Sequence, residues 1–341
     1  MKKLLLAISF FIALGLYLTS LAPSVQPEVY IIPSILGGLF PVLILANLAS
    51  LVGWLIKKSG WFLLPLFAFM ITWNATKKHI GFECFPGDAQ GNEITVGTFN
   101  LFGLKKVNLN PHLSTQFQDE MNEAGLDVIC LQESNPFAES QLDTFVHTTY
   151  PNHYSFAGLQ LLSKYPILDK GVFDFGSGVN GVLWTDLKVK DHSLRIYCAH
   201  FRSNMISSKT DALIEEGNLT ERKTWNGVRD VLRRYKDAAL IRIEQARTVR
   251  SHVNRSPHPV ILCGDFNDHP LSPTLAELTD GLSDSFEASG CGWGTTYGGS
   301  LPLLRIDYIL VDSSISPIHH RVLSSQVSDH HWVRCQLALS E

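Results

Sequence analysis

The first 80 residues contain no arginine, and Glu28 is the one acidic group among them; their remaining charge is six lysines. A stretch so short of charge lacks the polar surface that a domain in water needs. After residue 80 an excess of positive charge is what is missing: 22 Lys and Arg face 31 Asp and Glu, near −9 with histidines neutral. Duplex-binding domains usually carry a basic face, because phosphate neutralisation supplies most nonspecific affinity. This balance therefore weighs against nucleic acid without excluding it. No two of the six cysteines have Cys-x-x-Cys spacing, which argues against a zinc ribbon. Cys130, Cys198, Cys263 and Cys335 lie in apolar, strand-like runs, where free cysteine behaves as a small hydrophobe. Cys84 and Cys291 fall in loop-like sequence, and their pairing stays open because sequence gives no distance. Internal repeats and low-complexity tracts are also absent. The 341 residues exceed what one core usually holds, so two regions are expected.

What the N-terminal region has is apolar length. Leu4 to Ala22 is 19 uncharged residues, near the ~20 that cross a bilayer as helix. Val29 to Ile56 is 28 uncharged residues with Pro33 and Pro41 inside, and Ser59 to Thr76 is a weaker run of 18. Lys2 and Lys3 before an apolar run ending in Ser20-Leu21-Ala22 also fit a cleaved signal peptide, but Pro23 and the next apolar run favour an uncleaved anchor. The expectation is a membrane anchor over 1–80 with two or three helices, a linker over 81–93 and a catalytic domain over 94–341. Lys2, Lys3, Lys57 and Lys58 suit the cytoplasmic side and Glu28 the other. Three spans, 4–22, 31–56 and 59–76, make a multi-pass protein of the cell membrane with its domain extracytoplasmic. Two spans would leave the domain inside, and Lys77 and Lys78 suit that alternative.

Beyond residue 80, short β-branched runs alternate with helix-like stretches. Strand candidates are 94–100, 127–131, 153–162, 181–190, 194–201, 260–263, 305–311 and 331–339, with helices over 113–124 and 221–255. The mixed charge signs of the second helix read as a solvated face. This pattern predicts an α/β sandwich of two sheets packed face to face.

Polar groups collect where these runs end: Asn100, Glu133, His200, Asp265, Asn267, Asp307, Asp329 and His330. Phosphoester hydrolysis needs charge neutralised at the phosphoryl oxygens, an activated water and a proton for the leaving oxygen. Glu133 is the natural hard-oxygen ligand for Mg²⁺, with Mn²⁺ as a possible substitute, and Asp329 is the second candidate. Asp265 and Asn267 alternate with Phe266, so an extended segment would point both to one side, Asp265 toward the attacking water and the Asn267 amide toward a phosphoryl oxygen. His330 would contact phosphate or exchange a proton, with Asp307 fixing its tautomer. Arg202 is a candidate phosphate contact, with a surface loop residue as the plain alternative. Asp268 and His331 read as loop support, whereas His269, His319 and His320 show no partner logic. Taken singly, each of these residues is more simply a turn or cap residue; their joint occurrence in chain order carries the weight.

The ordered strings Thr-Phe-Asn100-Leu, Cys-Leu-Gln-Glu133, Leu-Leu-Ser163-Lys-Tyr-Pro166-Ile, Cys-Ala-His200-Phe, Cys-Gly-Asp265-Phe-Asn267-Asp-His-Pro270, Arg-Ile-Asp307-Tyr-Ile-Leu and Ser-Asp329-His330 resemble the endonuclease/exonuclease/phosphatase (DNase I-like) superfamily over 94–339. The three apolar segments look like the anchor of its membrane-bound bacterial members. The resemblance implies a four-layer α/β/β/α sandwich with the site at one edge of both sheets, preceded here by the N-terminal transmembrane helical region. It implies Glu133 as main metal ligand with Asn100 beside it, Asp265 orienting the water, Asn267 and His200 stabilising the transition state, and Asp307 with His330 as a catalytic pair. Leu303-Leu-Arg-Ile-Asp307-Tyr departs from the Pro-Ala-Trp-Cys-Asp-Arg string of the inositol-polyphosphate 5-phosphatases, and the tyrosine of the abasic-site endonucleases has no clear counterpart. The expected activity is Mg²⁺-dependent hydrolysis of phosphodiesters or phosphomonoesters, with phospholipid or sphingolipid head groups as substrate class. A surface nuclease acting on DNA or RNA would use the same residues. A tethered binding module without catalysis is the reading from another class, and the retention of Glu133, Asp265 and His330 counts against it. No protein partner is evident.

Overall fold

The computed structural model describes residues 2–25, 32–85, 87, 92–104, 112–134, 141–176, 178–204, 222–299 and 303–340. The apolar N-terminal sequence forms five helices: α1 (Lys2–Ser20), α2 (Ile32–Gly37), α3 (Phe40–Ile56), α4 (Leu63–Ile71) and α5 (Trp73–Lys77). The run 31–56 is thus not one helix, because the chain turns at Gly38-Leu39, and the run 59–76 is interrupted at Thr72. Few polar side chains lie in α1 and α3 and none in α4, and Ser9, Asn47 and Ser50 in the interior are hydrogen-bonded between helices. Ser9 Oγ accepts from Ser50 Oγ at 2.7 Å and from Trp54 Nε1 at 2.9 Å, while Asn47 Nδ2 donates to Pro65 O at 2.9 Å. With Gly15 against Leu43, these contacts make α1 antiparallel to α3, and α3 antiparallel to α4. The outer faces are the reverse of a soluble bundle: Leu4, Phe11, Val52, Ile56, Phe67 and Met70 are exposed. Among the described residues, one helical stretch, Lys2–Ser24, is long and apolar enough to cross a membrane, and Phe40–Ile56 and Gly60–Ile71 are shorter apolar helices.

The expected linker is partly structured. β1 (Ile80–Phe82) pairs antiparallel with β11 (Cys291–Trp293), and Cys84 is disulfide-bonded to Cys291 with a Cα–Cα distance of 4.6 Å. The first sheet holds β2 (Asn92–Asn100), β3 (Val128–Gln132), β4 (Asn152–Phe156), β5 (Leu159–Ser163), β13 (Ile315–Leu323) and β14 (Trp332–Leu339), in the order β13-β14-β2-β3-β5-β4. The second holds β6 (Ile167–Asp174), β7 (Gly181–Val189), β8 (His192–His200), β9 (Val260–Asp265), β10 (Leu282–Asp284) and β12 (Asp307–Asp312), in the order β10-β12-β9-β8-β7-β6. The 2.0-residue period of a strand sorts its side chains between two cores. Val96, Cys130, Cys198, Cys263 and Val333 meet between the sheets. Phe99, Ile129 and Leu131 face Phe117 and Met121 of the helix His112–Ala124, while Tyr197, Val260 and Leu262 face Ala246 and Val249 of the helix Arg222–Val253. Helix, sheet, sheet and helix give the four-layer α/β/β/α sandwich expected from sequence.

Two strand expectations are corrected. The run 153–162 is a hairpin rather than one strand, since Ala157 and Gly158 both take positive φ and fold β4 back onto β5. The strand expected from Arg305 starts at Asp307; Arg305 instead buries its guanidinium, donating to Asp284 Oδ2 at 2.7 Å and to Lys78 O at 2.8 Å.

Candidate active site

Strand register brings the polar residues together. β8 and β9 run parallel with His200 beside Asp265, and β12 runs antiparallel to β9 with Asp307 beside the same Asp265. Gly264 is required here, because a Cβ at that position would overlap Ala199 O on β8. In the facing sheet, β2 ends at Asn100 and β3 at Gln132, so Glu133 leaves the sheet at the same edge. Ser328 ties the last loop in, donating to Asn100 O at 2.7 Å and accepting from His330 N at 3.1 Å.

The resulting contacts are short and mostly buried. Asn100 Nδ2 donates to Asp265 Oδ2 at 2.9 Å and to Glu133 Oε1 at 3.4 Å, and Asn100 Oδ1 accepts from Phe102 N at 2.9 Å. His330 Nδ1 donates to Asp307 Oδ2 at 2.9 Å, and its Nε2 lies 3.9 Å from Asp265 Oδ2. Burial works against a charged His330, but the Asp307 carboxylate, its hydrogen bond and Asp265 overcome this and raise the imidazole pKa. Burial also raises the Asp307 carboxyl, against the pull of His330, so the buried pair holds one proton tightly. Thr296 Oγ1 accepts from the backbone N–H groups of Ile306 at 3.0 Å and Asp307 at 3.1 Å, holding the main chain at the start of β12. His200 Nδ1 donates to Val179 O at 2.9 Å. Its buried Nε2 has no hydrogen-bond partner among the described residues and lies 3.8 Å from both Glu133 Oε1 and Asp265 Oδ2. A buried ring nitrogen aimed at this space suits an incoming phosphoryl oxygen, to which it donates when the ring is protonated.

Glu133 and Asn267 are both non-glycine residues in the left-handed region, with φ of 48° and 52°. Such backbone is unfavourable and gathers at functional sites. For Asn267 it overturns the extended-segment expectation. β9 stops at Asp265, the Asn267 N–H donates to Asp265 Oδ1 at 2.8 Å, and the Asn267 amide donates to Phe201 O at 3.1 Å. Asp329 is close enough to His330 for its charge to help raise that imidazole. The described residues hold one group of three acidic or imidazole ligands with atoms within 4.8 Å of one another, and it is Asp265, Asp307 and His330. Neither Glu133 nor Asp329 is in that group, and Asp329 takes a long contact of 3.4 Å from Ser328 Oγ. The donor set nevertheless fits a hard divalent cation: the Glu133 carboxylate is 32% exposed and faces the unpartnered His200 Nε2, with the Asn100 amide alongside.

Several positions had no sequence signal. Tyr297 sets its ring edge-on to His330 with centroids 5.2 Å apart. His269, which shows no partner in the sequence, is buried: its Nε2–H donates to Ser34 O of α2 at 2.7 Å, and its Nδ1 accepts from Leu271 N at 3.2 Å. Gly37 lies so close that a Cβ would come within 2.5 Å of the His269 ring. Beside it, Asp268 accepts from Arg242 Nε at 3.0 Å, Thr274 Oγ1 at 2.8 Å and Tyr235 O–H at 3.0 Å. Burial alone would raise the Asp268 carboxyl; Arg242, with His269 and Thr274, outweighs it and lowers the pKa. Asp268 therefore supports the loop as expected, and the N-terminal helices are latched to the segment that carries Asp265 and Asn267. His320 also gains a partner, Ser285 Oγ at 2.8 Å, away from the site.

Comparison with known proteins agrees with this geometry. Residues 97–330 match the sequence model described as Endonuclease/Exonuclease/phosphatase family, and residues 2–79 match a separate domain of unknown function. No curated protein matches the chain. Among solved structures, an endonuclease/exonuclease/phosphatase from Bacteroides vulgatus superposes with a TM-score of 0.54 at 15% identity, over 73% of this chain and 99% of that one. Truncated Caenorhabditis elegans TDP2 gives 0.52 at 15%, over 74% and 100%, and humanized D. rerio TDP2 gives 0.52 at 17%, over 72% and 99%. At such identities the likeness is one of fold. The family match spans well over half of the sequence and contains every one of the eight polar residues, and the chain belongs to the endonuclease/exonuclease/phosphatase family, whose members hydrolyse phosphoester bonds.

Proposed function

We infer that this chain is a membrane-anchored, divalent-metal-dependent phosphoesterase that cleaves the head-group phosphoester of a phospholipid or sphingolipid. One observation carries the substrate class: the loop holding Asp265 and Asn267 is hydrogen-bonded, through His269 and Ser34, to a helical bundle whose outer face is apolar. A catalytic edge built against such a bundle meets lipid head groups at high local concentration.

Glu133 and Asn100 would hold Mg²⁺, with Mn²⁺ able to substitute. Bound there, the ion supplies Lewis-acid neutralisation of a phosphoryl oxygen. Asp265, fixed by Asn100 and by the Asn267 N–H, accepts the proton of the attacking water. His200 Nε2 and the protonated His330 stabilise charge on the phosphoryl group, and Asp307 keeps the His330 ring oriented. Asn267 acts through position, since one amide hydrogen is committed to Phe201 O. Full-length protein should hydrolyse sphingomyelin or a glycerophospholipid with Mg²⁺ and stop with excess EDTA. Cleavage confined to DNA or RNA would replace this with the nuclease function, and full turnover in EDTA would remove the metal.

The same reading places the catalytic domain outside the cytoplasm. The antiparallel packing brings Lys2, Lys3, Lys57 and Lys58 to the end of the bundle away from the catalytic domain, as the positive-inside rule favours. A Cys84–Cys291 disulfide is also suited to an oxidising compartment. α1 supplies one span; α3 has 17 residues and rises about 26 Å, short of a ~30 Å core, so α3 and the α4–α5 pair cross with local thinning of the bilayer. An alkaline-phosphatase fusion at the C-terminus should be active and a fluorescent-protein fusion dark. The reverse pattern would put the enzyme in the cytoplasm.

A further inference from the structure

A cavity of about 270 Å³ lies between the N-terminal bundle and the catalytic domain. Ile35, Leu39 and Val42 form one wall, Leu232 of the long helix and Ile306 form the other, and Asn267 closes the inner end. The volume is near the lower end of ligand pockets, which begin at about 300 Å³. It is therefore sized for a slender group rather than a second domain or a helix. Its two ends differ in kind. At the inner end lies Asn267, whose backbone N–H donates to Asp265, the carboxylate that is 3.9 Å from His330 Nε2. At the outer end Leu39 and Val42 are about half exposed and continue into Leu45, Leu48 and Val52 on the apolar face of α3. The cavity thus extends from the bundle's outer face to Asn267 and is mainly apolar; Asn204, Tyr235, Asp268 and His269 also line it, each engaged in hydrogen bonds within the protein.

We propose that this cavity takes the first part of an aliphatic chain of the substrate, so that the enzyme selects amphiphilic phosphoesters by their tails as well as their head groups. The occupant follows from the two ends: only a molecule with a phosphoester at one end and a hydrocarbon at the other matches both. The proposal rests on the phosphoesterase function above and adds the tail as a specificity determinant. Removing a methylene from water at a fully buried site changes binding about fourfold. Chain-length dependence should therefore be steep while the cavity fills and flat beyond.

The test uses full-length protein in nanodiscs with two readouts. The first is kcat/KM for alkyl 4-nitrophenyl phosphodiesters from methyl to decyl, in which the leaving group is constant. The second is calorimetric binding of the matching alkyl phosphonates, which needs no turnover. Wild type should gain about 100-fold or more in both from the shortest to the longest chain. Val42→Trp and, from the opposite wall, Leu232→Trp should cut that gain to below about fivefold while leaving the methyl substrate's rate within twofold; neither residue belongs to the catalytic group. Chain-length independence in wild type, or a full gain retained in both folded variants, would overturn the proposal. If no phosphodiester is hydrolysed at all but phosphonate binding still rises with chain length and falls in the variants, the phosphoesterase function fails and the tail site stands.

Discussion

Replacing His330 with glutamine should lower kcat by about 10²–10⁴-fold, the range of a positioned acid–base or charge-stabilising group. Glutamine is the informative choice. Alanine would leave the Asp307 carboxylate buried without its imidazole partner, and removing one member of a buried pair can cost about 3–5 kcal/mol of stability. Glutamine can still donate to Asp307 while removing the imidazole that faces Asp265. Asp307→Asn should produce a loss of similar size, because it releases the ring from its tautomer and orientation. The double variant should be scarcely worse than either single one, as residues that act as a unit are strongly non-additive. Steady-state kinetics on the identified substrate, with circular dichroism to verify folding, measures all three. Near wild-type turnover in His330→Gln would remove His330 from the chemistry, and fully additive losses would mean the two residues act separately.

The fold and the site were legible from sequence to different depths. β9 shows why the catalytic set could be read: apolar 260–263 must be buried on both faces, so the polar residues that follow it fall at the sheet edge. The same logic placed Asn100, Glu133 and His200, each directly at or after a buried strand. What failed was local conformation at positive φ. Asn267 was expected in an extended segment and instead turns, because its N–H is drawn to the carboxylate two residues back. The Ala157-Gly158 turn within 153–162 was missed for a related reason, since the turn takes alanine as well as glycine into positive φ. β6 was not expected, as its exposed edge sequence Ile167–Asp174 carries Asp169, Lys170 and Gly171 in place of a clean alternation. The latch could not be seen at all. His269 meets a backbone carbonyl 235 positions away, and a carbonyl leaves no trace in a side-chain pattern.

Glu133→Gln should reduce activity by about 10²-fold or more at low millimolar Mg²⁺ and raise the Mg²⁺ concentration for half-maximal rate by at least about tenfold. The residue is held for this role before any ion arrives. Its φ of 48° turns the chain sharply out of β3, Gly103 N donates to its carbonyl at 3.0 Å, and Asn100 Nδ2 reaches its carboxylate at 3.4 Å. Glutamine keeps the shape and one acceptor oxygen but removes the charge on which a hard cation depends. Stability should change little, because the side chain is partly exposed and its ion-pair contact among the described residues is a loose one, 3.8 Å from His200 Nε2. Two controls separate metal binding from catalysis. His330→Gln should lose rate with an unchanged Mg²⁺ midpoint, since His330 is bound to Asp307 rather than to Glu133. Asp329→Asn should leave the midpoint within about threefold, because its carboxylate accepts from Ser328 Oγ and acts on His330, whereas Asn100 reaches Glu133. Calorimetric titration of Mg²⁺ into the full-length enzyme and its variants gives the same comparison without turnover. An unchanged midpoint in Glu133→Gln, or a large shift in Asp329→Asn, would move the metal from the end of β3 to the loop before β14.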